Sequence, residues 1–207
     1  MKHPPPLEYD NYYHIYNRGI NGGIIFREKT NYEYFLNLLS DHITPIAEIF
    51  AYALMNNHFH FLVRIFSEEE IGLIKPSERN KHIVFTEKKK YNPAQQFGNL
   101  FNAYTRAYNI KYHRSGSLFE TPFRRIRVDD ENYFKNLICY IHNNPVHHKL
   151  SKQINDYPWS SYLSIIGNRP TRLKREKVLE WFNSRSEFID YHNQNNNYDE
   201  IESILTE

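Results

Sequence analysis

The sequence predicts an α+β domain: a ferredoxin-like antiparallel sheet covered by helices, with appended C-terminal helices. Three observations carry this. Hydrophobic periodicity along the chain reads strand, helix, strand, strand, helix, strand and then helices, the order of a split βαβ arrangement. The strand segments are rich in aromatic and β-branched residues and are bounded by Gly, Asn and Pro. At 207 residues, with hydrophobic content of 40% and charged content of 24%, the chain can bury one substantial core. The expected division is a catalytic-type domain over residues 9–160, interrupted by a charged excursion at 66–92, and a helical extension at 161–207.

Tyr12-Tyr-His-Ile-Tyr-Asn-Arg18 alternates as a strand, with His14 and Tyr16 on one face and Tyr13 and Ile15 on the other. Residues 19–23 supply the turn. Thr30 is expected to cap a helix whose Tyr34, Phe35, Leu38 and Leu39 recur at helical spacing. A second strand over 46–54 leads through Met55-Asn-Asn57, a tight link, into a third strand that begins at His58. Glu68-Glu-Glu70 and Lys88-Lys-Lys90 bracket Ile83-Val-Phe85 in the charged excursion, which has room for a short hairpin. Pro93 starts a helix burying Phe97, Leu100, Phe101, Tyr104, Tyr108 and Ile110. Residues 117–128 read as a strand that carries Arg124, Arg125 and Arg127 toward one face. Asp129 or Asp130 caps a further helix, which Pro145 is expected to end near Asn143. Beyond Trp159 the chain turns polar and helical. Residues 194–197 form an expected break, and the last thirty or so residues read as an add-on outside the core.

Composition excludes several classes of function. One cysteine, Cys139, rules out an internal disulfide framework and a Cys-based zinc site. No stretch has the length and apolarity of a membrane span, and the first residues lack the apolar core of a signal peptide, so a cytoplasmic protein without membrane association is expected. A formal net charge of +2 means that any nucleic-acid contact must rest on local charge. No Gly-rich Walker-type loop is present, which argues against a nucleotide cofactor.

Two positions in the third strand point to chemistry. His58 and His60 lie two apart, so both imidazoles project from one face while Phe59 and Phe61 face the other. Two neutral imidazoles on a rigid strand make half of a divalent-metal site; the alternative is a pair of histidines without a ligand. Tyr140 lies off the apolar stripe of Phe134, Leu137, Ile138 and Ile141, four residues before Asn144, and on its own reads as a boundary residue with its hydroxyl in water.

Four ordered blocks look like the HUH single-tyrosine transposases, and most like their REP-associated tyrosine transposase branch. They are Tyr13-His-Ile-Tyr-Asn-Arg-Gly19, Leu54-Met-Asn-Asn-His-Phe-His60, Gly116-Ser-Leu-Phe119 and Cys139-Tyr-Ile-His-Asn-Asn-Pro145. The resemblance runs over about residues 12–159 and does not cover 66–92 or the tail. It departs from the family at Thr121-Pro122, where relatives often carry a basic residue. It implies that His58 and His60 bind a divalent metal, Mg²⁺ or Mn²⁺, completed by Asn144, and that Tyr140 is the nucleophile. It further implies single-stranded or hairpin DNA as partner, and relatives include both homodimers and monomers.

The implied activity is metal-dependent single-strand DNA cleavage and strand transfer through a 5′-phosphotyrosine. The alternatives are a non-catalytic DNA-hairpin-binding protein that keeps the fold, and an unrelated His-x-His phosphoesterase. DNA would be held through phosphates, with Arg124, Arg125 and Arg127 as first candidates and Arg18, Lys111 and Arg114 behind them. His14 has two readings, lining the site or sitting satisfied within the sheet. His142, His147 and His148 are expected at the solvent or at the helix end.

Overall fold

The structure, a computed structural model, describes residues 5–71, 90–194, Tyr198 and Ile201. Ile83-Val-Phe85, Lys88, Lys89 and most of the break at 194–197 lie outside the described residues. Four strands form one antiparallel sheet: β1 (Tyr12–Arg18), β2 (Ala47–Leu54), β3 (His58–Ile65) and β4 (Arg124–Val128), in the order β2-β3-β1-β4. This is the ferredoxin-like α+β arrangement that the element order predicts. β1 and β3 are central, which places Tyr16 opposite His60 and Arg18 opposite His58.

Helices α1 (Lys29–Ile43) and α2 (Pro93–Lys111) cover one face. Tyr13, Ile15, Phe59, Phe61, Val63 and Ile65 point into that layer and pack with Phe35, Leu39, Phe97, Leu100 and Tyr104. Each fully buried phenylalanine contributes about 1.5–3 kcal/mol relative to an exposed one. Two local expectations change. α1 is capped by Glu28 rather than Thr30, through a reciprocal box with Asn31. Ile110, expected on the buried side of α2, is 72% exposed, because α2 ends one residue later, past the sheet it covers. Asn92 caps α2 and Pro93 begins it, as the sequence predicts.

On the other face lie α3 (Glu131–His147) and the short helices α4 (Tyr162–Ile166), α5 (Arg175–Trp181) and α6 (Arg185–Gln194). A bulge between Ile49 and Ala51 turns both Phe50 and Ala51 toward this layer. Described residues of the last thirty or so, expected outside the core, are part of it. Val178, Phe182, Phe188, Tyr198 and Ile201 are buried with Leu62, Leu137, Ile138 and Ile141. Residues 159–161 also pair with the open edge of β2: Leu54 N–H donates to Trp159 O at 2.9 Å and Ser161 N–H to Tyr52 O at 2.9 Å.

Two polar devices tie this half to the sheet. Glu48 of β2 is buried and accepts from Arg64 at 2.9 Å and from Lys177 at 3.1 Å. Burial works against its charge, yet the bonds from Arg64, Lys174 and Lys177 prevail and hold its carboxyl down at about 2. The second device is a buried chain from α6 to β2. His192 Nδ1 meets Phe188 O at 2.7 Å, His142 Nδ1 meets His192 Nε2 at 2.9 Å, His142 Nε2 meets Ser161 Oγ at 2.7 Å, and Tyr52 N–H donates to Ser161 Oγ at 2.8 Å. One proton assignment satisfies every link, with both imidazoles neutral and the Ser161 hydroxyl donating to His142. His142 is therefore fully buried, in contrast to the expected exposure.

Two outcomes follow. Phe188→Ala will lower unfolding stability by about 3–5 kcal/mol in a single cooperative urea transition, since it opens a cavity in the shared core. A separate early transition confined to the tail would contradict this. Acidification will also destabilise the fold. Burial lowers the His192 pKa from 6.5 to about 4, so the unfolded chain takes up protons first and stability falls as pH drops from 6.5 toward 4. Glu48 adds a further loss as pH falls below 4.5 toward 2. Melting temperatures measured against pH should show the second fall in the parent protein and not in Glu48→Gln.

Candidate functional site

The pleat of β3 puts His58 and His60 on the α3 side of the sheet, where α3 delivers Tyr140 and Asn144. His58, His60 and Tyr140, with Tyr16, Arg18, Asn57, Glu120, Arg124, His147 and His148, frame an open cleft of about 460 Å³, and Asn144 lies against His58. The Tyr140 ring stands edge-on to His60 at 5.5 Å and to Tyr198 at 5.6 Å, and the side chain is 6% exposed.

Asn144 reaches the site because α3 does not stop before Pro145. The helix runs on to His147, with His148 N–H donating to Asn144 O at 2.9 Å. A proline removes one donor and disfavours helical backbone at the residue before it. In the last turn that loss is small against the burial of Ile141, Asn144 and Pro145. Asn144 is 1% exposed, and its Oδ1 lies 3.1 Å from His58 Nε2.

Each cleft histidine is also held from behind. His58 Nδ1 lies 2.7 Å from Asn57 Oδ1, and His60 Nδ1 lies 2.8 Å from His14 Nε2. Burial is the main cause that lowers the His58 pKa to about 4, with the charge of His148 adding to it. Burial likewise keeps His60 well below the usual histidine range, so both are neutral at physiological pH.

A neutral imidazole carries one N–H, yet both ring nitrogens of His58 face an amide oxygen. With Nδ1–H donated to Asn57, the Nε2 lone pair is turned toward Asn144 Oδ1, and Asn144 Nδ2 has no partner among the described residues. A half-turn of the Asn144 amide would let Nδ2 donate to that lone pair. With the amide oxygen turned inward, it and the two imidazoles form a donor set that would fit a divalent ion. Among the described residues no group of three or more His, Cys, Asp or Glu could hold a metal ion.

Positive charge in the cleft comes from fewer residues than expected. β4 alternates, so Arg124 shares the face of Tyr16 and hydrogen-bonds its hydroxyl, while Arg125 and Arg127 point to the α1/α2 side. Arg127 pairs there with Glu8 at 2.9 Å and Asp129 at 2.7 Å. Arg18 lines the cleft, paired with Glu120 at 2.6 Å. Lys111 sits by Glu28 and Thr30, and Arg114 by Asn109 and Ser117, all outside the cleft. His14 is fully buried behind His60 and does not line the opening.

His147 and His148 are exposed at the helix end, as expected, but they also form one wall of the cleft, His148 with its ring 4.7 Å from that of His58. Their spacing of three and four from Asn144 carries this signal, and it is visible only if the helix is continued through Pro145. Asn57 was legible in sequence as a turn residue and not as the partner of His58.

No protein-family model matches the sequence, and no curated protein is significantly similar to it. Among solved structures, the fold is similar to that of a REP-associated tyrosine transposase bound to a REP hairpin, with a TM-score of 0.53 over 80% of this chain and 85% of that chain. Sequence identity is 12%. The two share a fold. No helix among the described residues is long and apolar enough to cross a membrane.

The turn after β1 makes a test of the site's scaffold. A Cβ on Gly19 would lie 2.0 Å from Gly23 O and 3.0 Å from an Ile25 methyl group. Gly19 N–H also donates to Asn57 O at 2.8 Å. Gly19→Ala will therefore cost about 1–3 kcal/mol of stability by overpacking and displace the Asn57 link that orients His58. Denaturant unfolding checks the first effect, and histidine NMR shifts check the second.

Proposed function

We propose that the protein is a divalent-metal-dependent enzyme that nicks and rejoins single-stranded DNA through Tyr140, acting at hairpin-containing DNA. The observation that carries this reading is that Tyr140, His58 and His60 line one cleft, with the Asn144 amide against His58. The shared fold with a transposase that binds a REP hairpin supports DNA as the partner.

His58 Nε2, His60 Nε2 and Asn144 Oδ1 would hold Mg²⁺ or Mn²⁺, leaving the other positions to water and the scissile phosphate. The bound ion would polarise that phosphate and offset charge in the transition state. Arg124 and Arg18 would hold the backbone on either side of it. The Tyr140 oxygen attacks phosphorus in line, the bond from phosphorus to the 3′ oxygen breaks, and the phenolic proton is released as the 3′ oxygen gains one. The products are a 5′-phosphotyrosine and a free 3′-hydroxyl. The phosphodiester is retained as an ester, so rejoining needs no nucleotide.

The test is a labelled hairpin oligonucleotide incubated with protein and Mn²⁺, then denatured. A covalent protein–DNA adduct is expected, absent in Tyr140→Phe and with chelator, and reduced at least 100-fold in His60→Ala. Tight hairpin binding without any adduct would make the protein a binder that keeps the fold. An adduct that persists in Tyr140→Phe would assign the nucleophile elsewhere.

A further inference from the structure

His14 and His60 form a buried pair that the cleft itself does not require. His14 is 0% exposed, lies behind His60 on the neighbouring strand, and does not line the opening. The ring centroids are 5.0 Å apart with planes 28° from parallel, and the nitrogens are 2.8 Å apart. The centroid separation is just the N···N distance plus two ring radii. The rings therefore meet edge to edge along a linear hydrogen bond. Tyr16 stacks on His60 at 5.7 Å and 20°, fixing the plane in which that bond lies.

His14 Nδ1 is buried and has no partner among the described residues. A phenylalanine or leucine would fill the same space without that penalty. Something other than packing must therefore favour an imidazole here.

Two proton arrangements satisfy the bond, and they differ at the cleft. If His14 Nε2–H donates, His60 carries its proton on Nε2 and presents an N–H to the opening. If His60 Nδ1–H donates, its Nε2 presents a lone pair. Only the second can ligate a cation. His58 has the same arrangement, with Asn57 Oδ1 accepting at 2.7 Å. An amide oxygen can only accept, so it fixes the His58 tautomer outright. His14 does so for His60 only through its own tautomer.

We propose that His14 is a positioning residue for His60: it accepts the His60 Nδ1 proton, holds the ring in plane, and so makes Nε2 a metal ligand. This rests on the metal reading above. Metal and the His14–His60 bond are then coupled, the ion selecting one direction of a bond that runs either way without it. Partners behind a metal-bound histidine typically influence affinity by 10–100-fold.

Mn²⁺ binding to the full-length protein, read from the EPR signal of free Mn²⁺, tests this without reference to cleavage. His14→Phe should weaken Mn²⁺ binding by about 10–100-fold while its melting temperature stays at or above that of the parent. His14→Gln, whose amide oxygen can accept from His60 Nδ1, should recover most of the affinity. Nitrogen-15 NMR of the imidazoles should show His60 protonated on Nδ1 when the diamagnetic ion Mg²⁺ is bound. Parent-like Mn²⁺ affinity in a folded His14→Phe would overturn the proposal, as would a Mg²⁺-bound His60 protonated on Nε2. If His14→Phe fails to fold, the Gln variant and the NMR measurement decide it alone. Unchanged Mn²⁺ affinity in His60→Ala would instead refute the metal reading itself, a result separable from failure at His14.

Discussion

The two-residue period of β3 organises this molecule. Phe59 and Phe61 go to one face and meet α1 and α2, while His58 and His60 go to the other and meet α3. A shift of one residue would exchange these sets, burying the imidazoles among phenylalanines and emptying the cleft. The register is fixed from both sides, by β1 along seven paired positions and by the β2 bulge that sends Phe50 to the second layer. The geometry of the site and the stability of the core thus depend on the same alternation. The aromatic side chains packed on one face hold the polar ones in place on the other.

That second face needs a core of its own, and the C-terminal helices supply it. α3 alone offers one apolar stripe, too narrow to cover a four-stranded sheet. α4, α5 and α6 fill the remainder, tied to the sheet by Glu48 and by the chain through Ser161, His142 and His192. The cleft lies at the border of this layer, where α3 runs out past β3. Strands β1, β3 and β4 and helix α3 supply most of its walls, and turns supply Asn57 and Glu120.

Most of the fold was legible in the sequence, because strands and helices there obey clean periods. What escaped were the places where one rule yields to another. Pro145 signals a helix end, yet burial of its neighbours carries α3 through it, setting Asn144 against His58 and bringing His147 and His148 to the cleft. Arg124, Arg125 and Arg127 read as one basic patch, yet a strand cannot put adjacent residues on one face, and only Arg124 is on the site's side. The tail looked like an add-on because its charge is high. Its apolar residues are few, but Phe182, Phe188 and Tyr198 are large and meet in one place. His14, read two ways in sequence, is inside the sheet and still touches the site, through a hydrogen bond that no pattern of spacing encodes.

Burial decides the charge of the two histidines at this site. It keeps His58 and His60 neutral, which is what a cation needs from them, and the surroundings of Nδ1 decide which nitrogen is offered. A phenol is a weak nucleophile at neutral pH. Under the function proposed above, activation of Tyr140 would have to come from what the site binds, a divalent ion on the histidines and a phosphate held by Arg18 and Arg124. Cleavage would then be confined to the bound strand.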